Sequence, residues 1–184
     1  MLPTGHAAVG YLAYSLLCRH GGGRPPTGPA TLVALFGTQL PDLVDKPLAW
    51  LFFVLPTGRT FAHSLLTAGV VLGGLWYLLA PTDRRYVIPL GVGWVSHTAM
   101  DVVPAIALGD ETVLGTLLWP VTSVPPYDTE LSFVARLSLV EHGPFVLLDF
   151  ALVALAFVVW DRDGRPGLAT LRSALSVVVH RITG

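Results

Sequence analysis

Cysteine is nearly absent. Cys18 is the only one, so the chain can form neither an intramolecular disulfide nor a thiolate-bound zinc cluster. Any bound metal must use His, Asp, Glu or backbone oxygen. Lysine is equally scarce, with Lys46 alone among eleven basic residues. Charged residues make up only 12% of the chain, against about 25% in soluble domains. The formal net charge of -1 leaves no basic footprint for nucleic acid. There is no internal repeat. The N-terminal apolar run has no basic region before it and contains His6, which argues against a cleaved signal peptide.

What is present is apolar. Hydrophobic residues reach 53% and the mean hydropathy is +0.65. About five apolar segments are visible, at 3–18, 31–55, 61–80, 86–108 and 143–160. A spanning helix needs about 20 such residues, so the pattern predicts an all-α, polytopic membrane bundle. The second segment is interrupted by Leu40-Pro41-Asp42-Leu43-Val44-Asp45-Lys46-Pro47. It is therefore expected to break into two half-helices, with Asp42 and Asp45 in the first turn of the second. The Gly- and Pro-rich stretch 21–29 reads as a loop. Residues 1–160 read as a membrane-embedded domain and 161–184 as a cytoplasmic amphipathic tail, since Leu168, Leu171, Leu175, Val178 and Ile182 recur at helical spacing. Residues 131–140 carry a similar interfacial pattern.

Arginine placement gives an orientation. Eight of the eleven basic residues (Arg19, Arg24, Arg84, Arg85, Arg162, Arg165, Arg172 and Arg181) fall in regions that five spans would put on one side. The positive-inside rule makes that side cytoplasmic. The N-terminus, the loop around Arg59 and the acidic stretch 109–142 then face outward. His6, Asp42, Asp45, His63, His97 and Asp101 all fall toward that outer side.

These six residues are costly in lipid, at roughly 2.5–3.5 kcal/mol for a charge at the centre of a span. Sharing a metal ion offsets that cost. His97 and Asp101 are spaced i, i+4, and Asp42 and Asp45 are spaced i, i+3, so each pair shares a helix face. Each also has a plain structural reading: a His–Asp hydrogen bond between helices for one pair, and carboxylates capping a helix at the lipid boundary for the other, while His63 reads as an interfacial cap of the third span and His6 as a polar residue at the headgroups. Four such coincidences on one side favour a shared site. Glu141 and His142 are further contributors to weigh, Asp149 is a supporting partner or an interhelical pair, and His20 and His180 read as solvated.

Taken together, Gly5-His6, Leu40-Pro41-Asp42-x-x-Asp45, Ala62-His63-Ser64, His97-x-x-x-Asp101 and Trp119-Pro120-Val121-Thr122-Ser123 resemble the YdjM-type membrane-bound metal-dependent hydrolases over roughly residues 5–123. More remotely, they are similar to the zinc-dependent phospholipase C and single-strand nuclease superfamily. The resemblance implies ligand roles for His6, Asp42, Asp45, His63, His97 and Asp101. One family imidazole is replaced by Gly58, while Arg59 is kept.

The implied chemistry is hydrolysis of a phosphoester, in a lipid or a small molecule, at the outer half of the cell membrane. The cofactor is a divalent ion, zinc first with manganese or magnesium as alternatives, in one to three copies. Such an ion lowers the pKa of bound water and, when paired, clamps both oxygens of an in-line displacement. Arg59 is placed to hold phosphate, Asp45 or Asp101 to act as base, and Ser64 and Ser96 to orient substrate or a ligand. Two rival classes are a metal-ion transporter or channel and a non-catalytic scaffold with a structural metal site. No polar trail toward the cytoplasm is apparent in the sequence, which weighs against transport.

Overall fold

Close helix contacts at small residues organise the bundle. The computed structural model describes residues 2–125 and 146–183. Its elements are α1 (Pro3–Gly22), α2 (Gly28–Trp50), α3 (Leu65–Leu78), α4 (Pro81–Arg84), α5 (Val87–Ala107), a 3-10 turn (Glu111–Val113), α6 (Leu114–Leu117), α7 (Val146–Arg162) and α8 (Leu168–Thr183). Among the described residues there is no strand, as the all-α expectation requires. The interfacial stretch expected at 131–140, together with Glu141 and His142, lies outside the described residues.

Packing of α2 against α5 is the central contact. A Cβ on Gly93 would lie 2.1 Å from the Ala34 carbonyl oxygen, and one on Gly37 would lie 2.4 Å from that of Leu90. Only hydrogen fits at either position. On the neighbouring side a Cβ on Gly10 of α1 would lie 2.1 Å from Thr38 Cγ2. Small residues let three backbones approach closely, as in membrane bundles generally.

The second helix is not broken. Residues Gly28–Trp50 form one helix with Pro41 and Pro47 inside it. A proline forfeits one intrahelical hydrogen bond, but the long seam with α5 holds α2 on both sides of Pro41. Asp42 and Asp45 therefore sit well inside a continuous helix rather than at a helix start. Their i, i+3 relation survives.

The third helix starts where the sequence supplies a cap. Ser64 Oγ accepts hydrogen bonds from the N–H groups of Leu66 and Thr67, at 3.1 and 3.4 Å. The same hydroxyl donates to the Trp119 carbonyl at 2.7 Å. It thus ties the Trp119-Pro120 segment to the start of α3.

α1 is fastened to α7 at both ends. Asp149 Oδ2 accepts from the Leu2 N–H at 3.0 Å. At the far end Asp163, just past α7, accepts from Tyr11 Oη and Ser15 Oγ, each at 2.6 Å. Arg19 pairs with it as well.

Five helices thus occupy the five apolar segments. Yet α3 has only 14 residues and α7 only 17, while α2 carries Asp42, Asp45 and Lys46. Among the described residues no helix is long and apolar enough to cross a membrane. Large apolar side chains nonetheless face outward on α3 and α7, including Val70, Tyr77, Leu78, Phe150 and Phe157.

Candidate metal centre

Four elements converge at one end of the bundle. α1 brings His6, α2 brings Asp42, Asp45 and Lys46, the 51–64 connection brings Arg59 and His63, and α5 brings His97 and Asp101. Arg19, Arg24, Arg84 and Arg85, by contrast, lie at or beside the opposite ends of these helices.

The connection from α2 to α3 is shaped by Asp45. This carboxylate is fully buried. Its Oδ2 accepts from Thr60 N–H at 2.8 Å and His63 N–H at 3.2 Å, and its Oδ1 accepts from Ala62 N–H at 2.7 Å. Trp94 Nε1 pins the same turn by donating to the Ala62 carbonyl at 2.5 Å. The fourth bond to Asp45 comes from His63 Nδ1 at 2.8 Å.

That last bond fixes a tautomer. A carboxylate only accepts here, so His63 Nδ1 carries the hydrogen. His97 Nδ1 lies 2.6 Å from the Thr38 carbonyl oxygen, and a carbonyl also only accepts. Each ring therefore offers its Nε2 as a bare lone pair when neutral. The two Nε2 atoms face each other at 3.2 Å. Two lone pairs at that distance repel unless a proton or a cation lies with them.

The surroundings are anionic. Asp42 Oδ1 is buried with no hydrogen-bond partner. It lies 3.6 Å from His63 Nε2 and 3.8 Å from His97 Nε2. His6 stacks on His97 with ring centroids 3.9 Å apart. Its Nε2 lies 3.3 Å from Asp101 Oδ1, while its Nδ1 is buried and unpartnered. Asp101 Oδ2 lies 3.5 Å from His63 Nε2.

Two groups of residues could hold an ion: His6, His97 and Asp101, and Asp42, His63 and His97, with donor atoms within 4.8 Å of one another in each. Imidazole nitrogens with their other nitrogens hydrogen-bonded, beside carboxylates, form a donor set that suits a divalent cation. The unpartnered Asp42 Oδ1 and His6 Nδ1 add to that fit. A profile described as YdjM inner membrane protein matches residues 1–183. The chain belongs to the YdjM inner membrane protein family. Its name supports a membrane location for this chain. No curated protein and no solved structure matches the chain.

In this YdjM-family chain the structure brings five of the six proposed ligands to one locus and sets Asp45 apart. Asp45 was expected as ligand and candidate base, but both its oxygens are taken up by the 60–63 turn. It orients His63 instead. His97 belongs to both groups, yet with Nδ1 on Thr38 it has one nitrogen to give. Two complete three-residue sites cannot be filled together from these side chains.

Other expectations shift as well. Ser64 caps α3 rather than facing a substrate, and Ser96 Oγ donates to the Gly93 carbonyl of its own helix at 2.8 Å. Asp149 serves the N-terminus of α1, away from the cluster. Arg59, 47% exposed, places Nε 2.8 Å from Asp101 Oδ2. Toward the arginine end Thr31, Ser15 and Asp163 are buried as well. Lys46 joins the site too, although composition and motif assign it no role. Its Nζ lies 2.5 Å from Asp42 Oδ2. The signal was present: the one lysine of the chain stands one helical turn after a proposed ligand.

Proposed function

We propose that the chain is a metal-dependent hydrolase embedded in the membrane, acting on a phosphoester with an apolar tail. The observation that carries this reading is the facing pair of His63 and His97 Nε2 atoms beside the buried, unpartnered Asp42 Oδ1. A cation turns that repulsive arrangement into a bonding one. Of the metals considered, zinc best matches imidazole plus carboxylate, with manganese or magnesium as alternatives. Such an ion, when bound, supplies Lewis acidity and makes water a usable nucleophile near neutral pH.

The chain's own residues do the rest. Asp45 and the Thr38 carbonyl hold the two imidazoles in the tautomer that presents Nε2. Asp42, His6 and Asp101 complete the donor set. With Asp45 committed to the turn, Asp101 is the carboxylate left to move a proton. Arg59 stands at the rim on Asp101 and positions a phosphate.

The same reading puts the bundle in the bilayer with the outward apolar faces of α3 and α7 against lipid. Those short helices reach the headgroups through their flanking turns. The arginine end faces the cytoplasm by the positive-inside rule, α8 lies on that surface, and the site faces the outer leaflet. Metal transport is the second reading, favoured by the buried Ser15 and Asp163 below the site. Arg19 on Asp163 opposes it, because a fixed cation bars another.

Elemental analysis of purified protein, with phospholipid and phosphomonoester turnover assays, tests the proposal. Wild type should retain a divalent metal, and His97→Ala or Asp101→Ala should lose metal and turnover together. Full metal content in both variants would defeat the assignment. Metal flux in proteoliposomes without turnover would favour transport instead.

A further inference from the structure

We infer that Lys46 binds the phosphate group of the substrate beside the ion. This deepens the metal-dependent reading above and rests on it. Lys46 follows Asp42 by one turn of α2, with Nζ 2.5 Å from Asp42 Oδ2. The other oxygen of that carboxylate faces inward, 3.6 Å from His63 Nε2. The ammonium therefore lies only a carboxylate's width from the donor cluster. Its side chain is 23% exposed, and Nζ lies 5.7 Å from the Trp50 ring centroid. The side chain is thus largely covered yet still open to solvent.

The charge balance explains why such a group is needed. Asp42, Asp45 and Asp101 bring three negative charges into one end of the bundle. A single divalent ion offsets two of them and leaves the site repelling an anion. Lys46 on Asp42 and Arg59 on Asp101 reverse the sign. A neutral ester or amide has no use for that reversal, whereas a phosphate does. Lysine suits the task as a compact point charge with three N–H donors, of which one points to Asp42 in the structure.

The alternative is that Lys46 only balances Asp42. Zinc and orthophosphate titrations of wild type, Lys46→Met and Lys46→Arg separate the two roles. Removing the ammonium frees Asp42, so K46M should bind zinc at least as tightly as wild type. Its affinity for orthophosphate, with zinc present, should fall about tenfold, the scale of one charge-assisted hydrogen bond. K46R should restore most of it. Unchanged phosphate binding in zinc-loaded K46M overturns the inference, as does a parallel loss of zinc and phosphate, which marks a merely structural role. Wild type that takes up no divalent metal removes the parent reading, and this one with it. Dioctanoyl phosphatidate and glycerol 3-phosphate distinguish the source of the phosphate. Tighter binding of the first assigns a lipid headgroup, and equal binding assigns a soluble phosphomonoester, provided K46M weakens both.

Discussion

Asp45 shows how a residue can govern a site without touching its contents. Its oxygens hold three backbone N–H groups of the 60–63 turn and the Nδ1–H of His63. Asn at this position would turn an NH2 group toward those donors. Asp45→Asn should lower metal affinity about 10–100-fold through misorientation of His63. It should also destabilise the fold by about 1–3 kcal/mol through an unsatisfied buried donor. Metal titration and thermal unfolding of the same sample check both effects. A variant with wild-type affinity would mean that His63 does not need this anchor. In the sequence, Asp45 was indistinguishable from Asp42, since residue type and spacing reveal a shared helix face but not which carboxylate a distant turn will claim. Lys46 illustrates the converse. Its ion pair was readable from i, i+4 spacing, but its position at the rim needed the fold.

At the scale of the helices, location was more legible than continuity. The apolar runs located five helices, and the helical spacing in the tail matched α8. The Pro41 and Pro47 signals suggested a break that packing against α5 overrides. Local propensity is a weak guide where a long interhelical seam outweighs one lost hydrogen bond. That seam can be tested. Gly93→Ala would press a methyl against the Ala34 carbonyl oxygen at 2.1 Å, forcing α2 and α5 apart at a cost of about 1–3 kcal/mol. Gly73 on α3 has open space where a Cβ would stand. Gly73→Ala should be neutral or stabilise by up to about 1 kcal/mol through helix propensity. In the same detergent the thermal unfolding midpoint should fall for Gly93→Ala and hold or rise for Gly73→Ala. Gly93→Ala should also weaken metal binding, because His97 lies one turn beyond Gly93, just as Asp42 lies one turn beyond Thr38.

For the whole molecule, the links between distant parts decide stability. Burial pushes the pKa of Asp163 up, but hydrogen bonds from Ser15 and Tyr11 and the Arg19 guanidinium outweigh this and hold its carboxyl below the usual carboxylate range. The sign follows directly. A folded-state pKa below the unfolded value of about 3.9 means that the stabilising effect is fully present above that value. It is lost as pH falls through the lower, folded value. Acid unfolding should therefore steepen below about pH 4, and Asp163→Asn should remove that component. An identical acid profile for the variant would show that this tie contributes nothing. None of these partners is near Asp163 in the chain, so no local pattern announced them.

The two carboxylates on and just beyond α7 also act as a gauge. Asp149 grips the start of α1 and Asp163 its far half, about 21 Å apart along a helix rising 1.5 Å per residue. Inserting one residue between them would turn one grip about 100° away from its partner. α1 would then be free to slide or roll, and His6 would be carried off the face of His97. The length of a helix that contributes no ligand thus sets the registry of one that does.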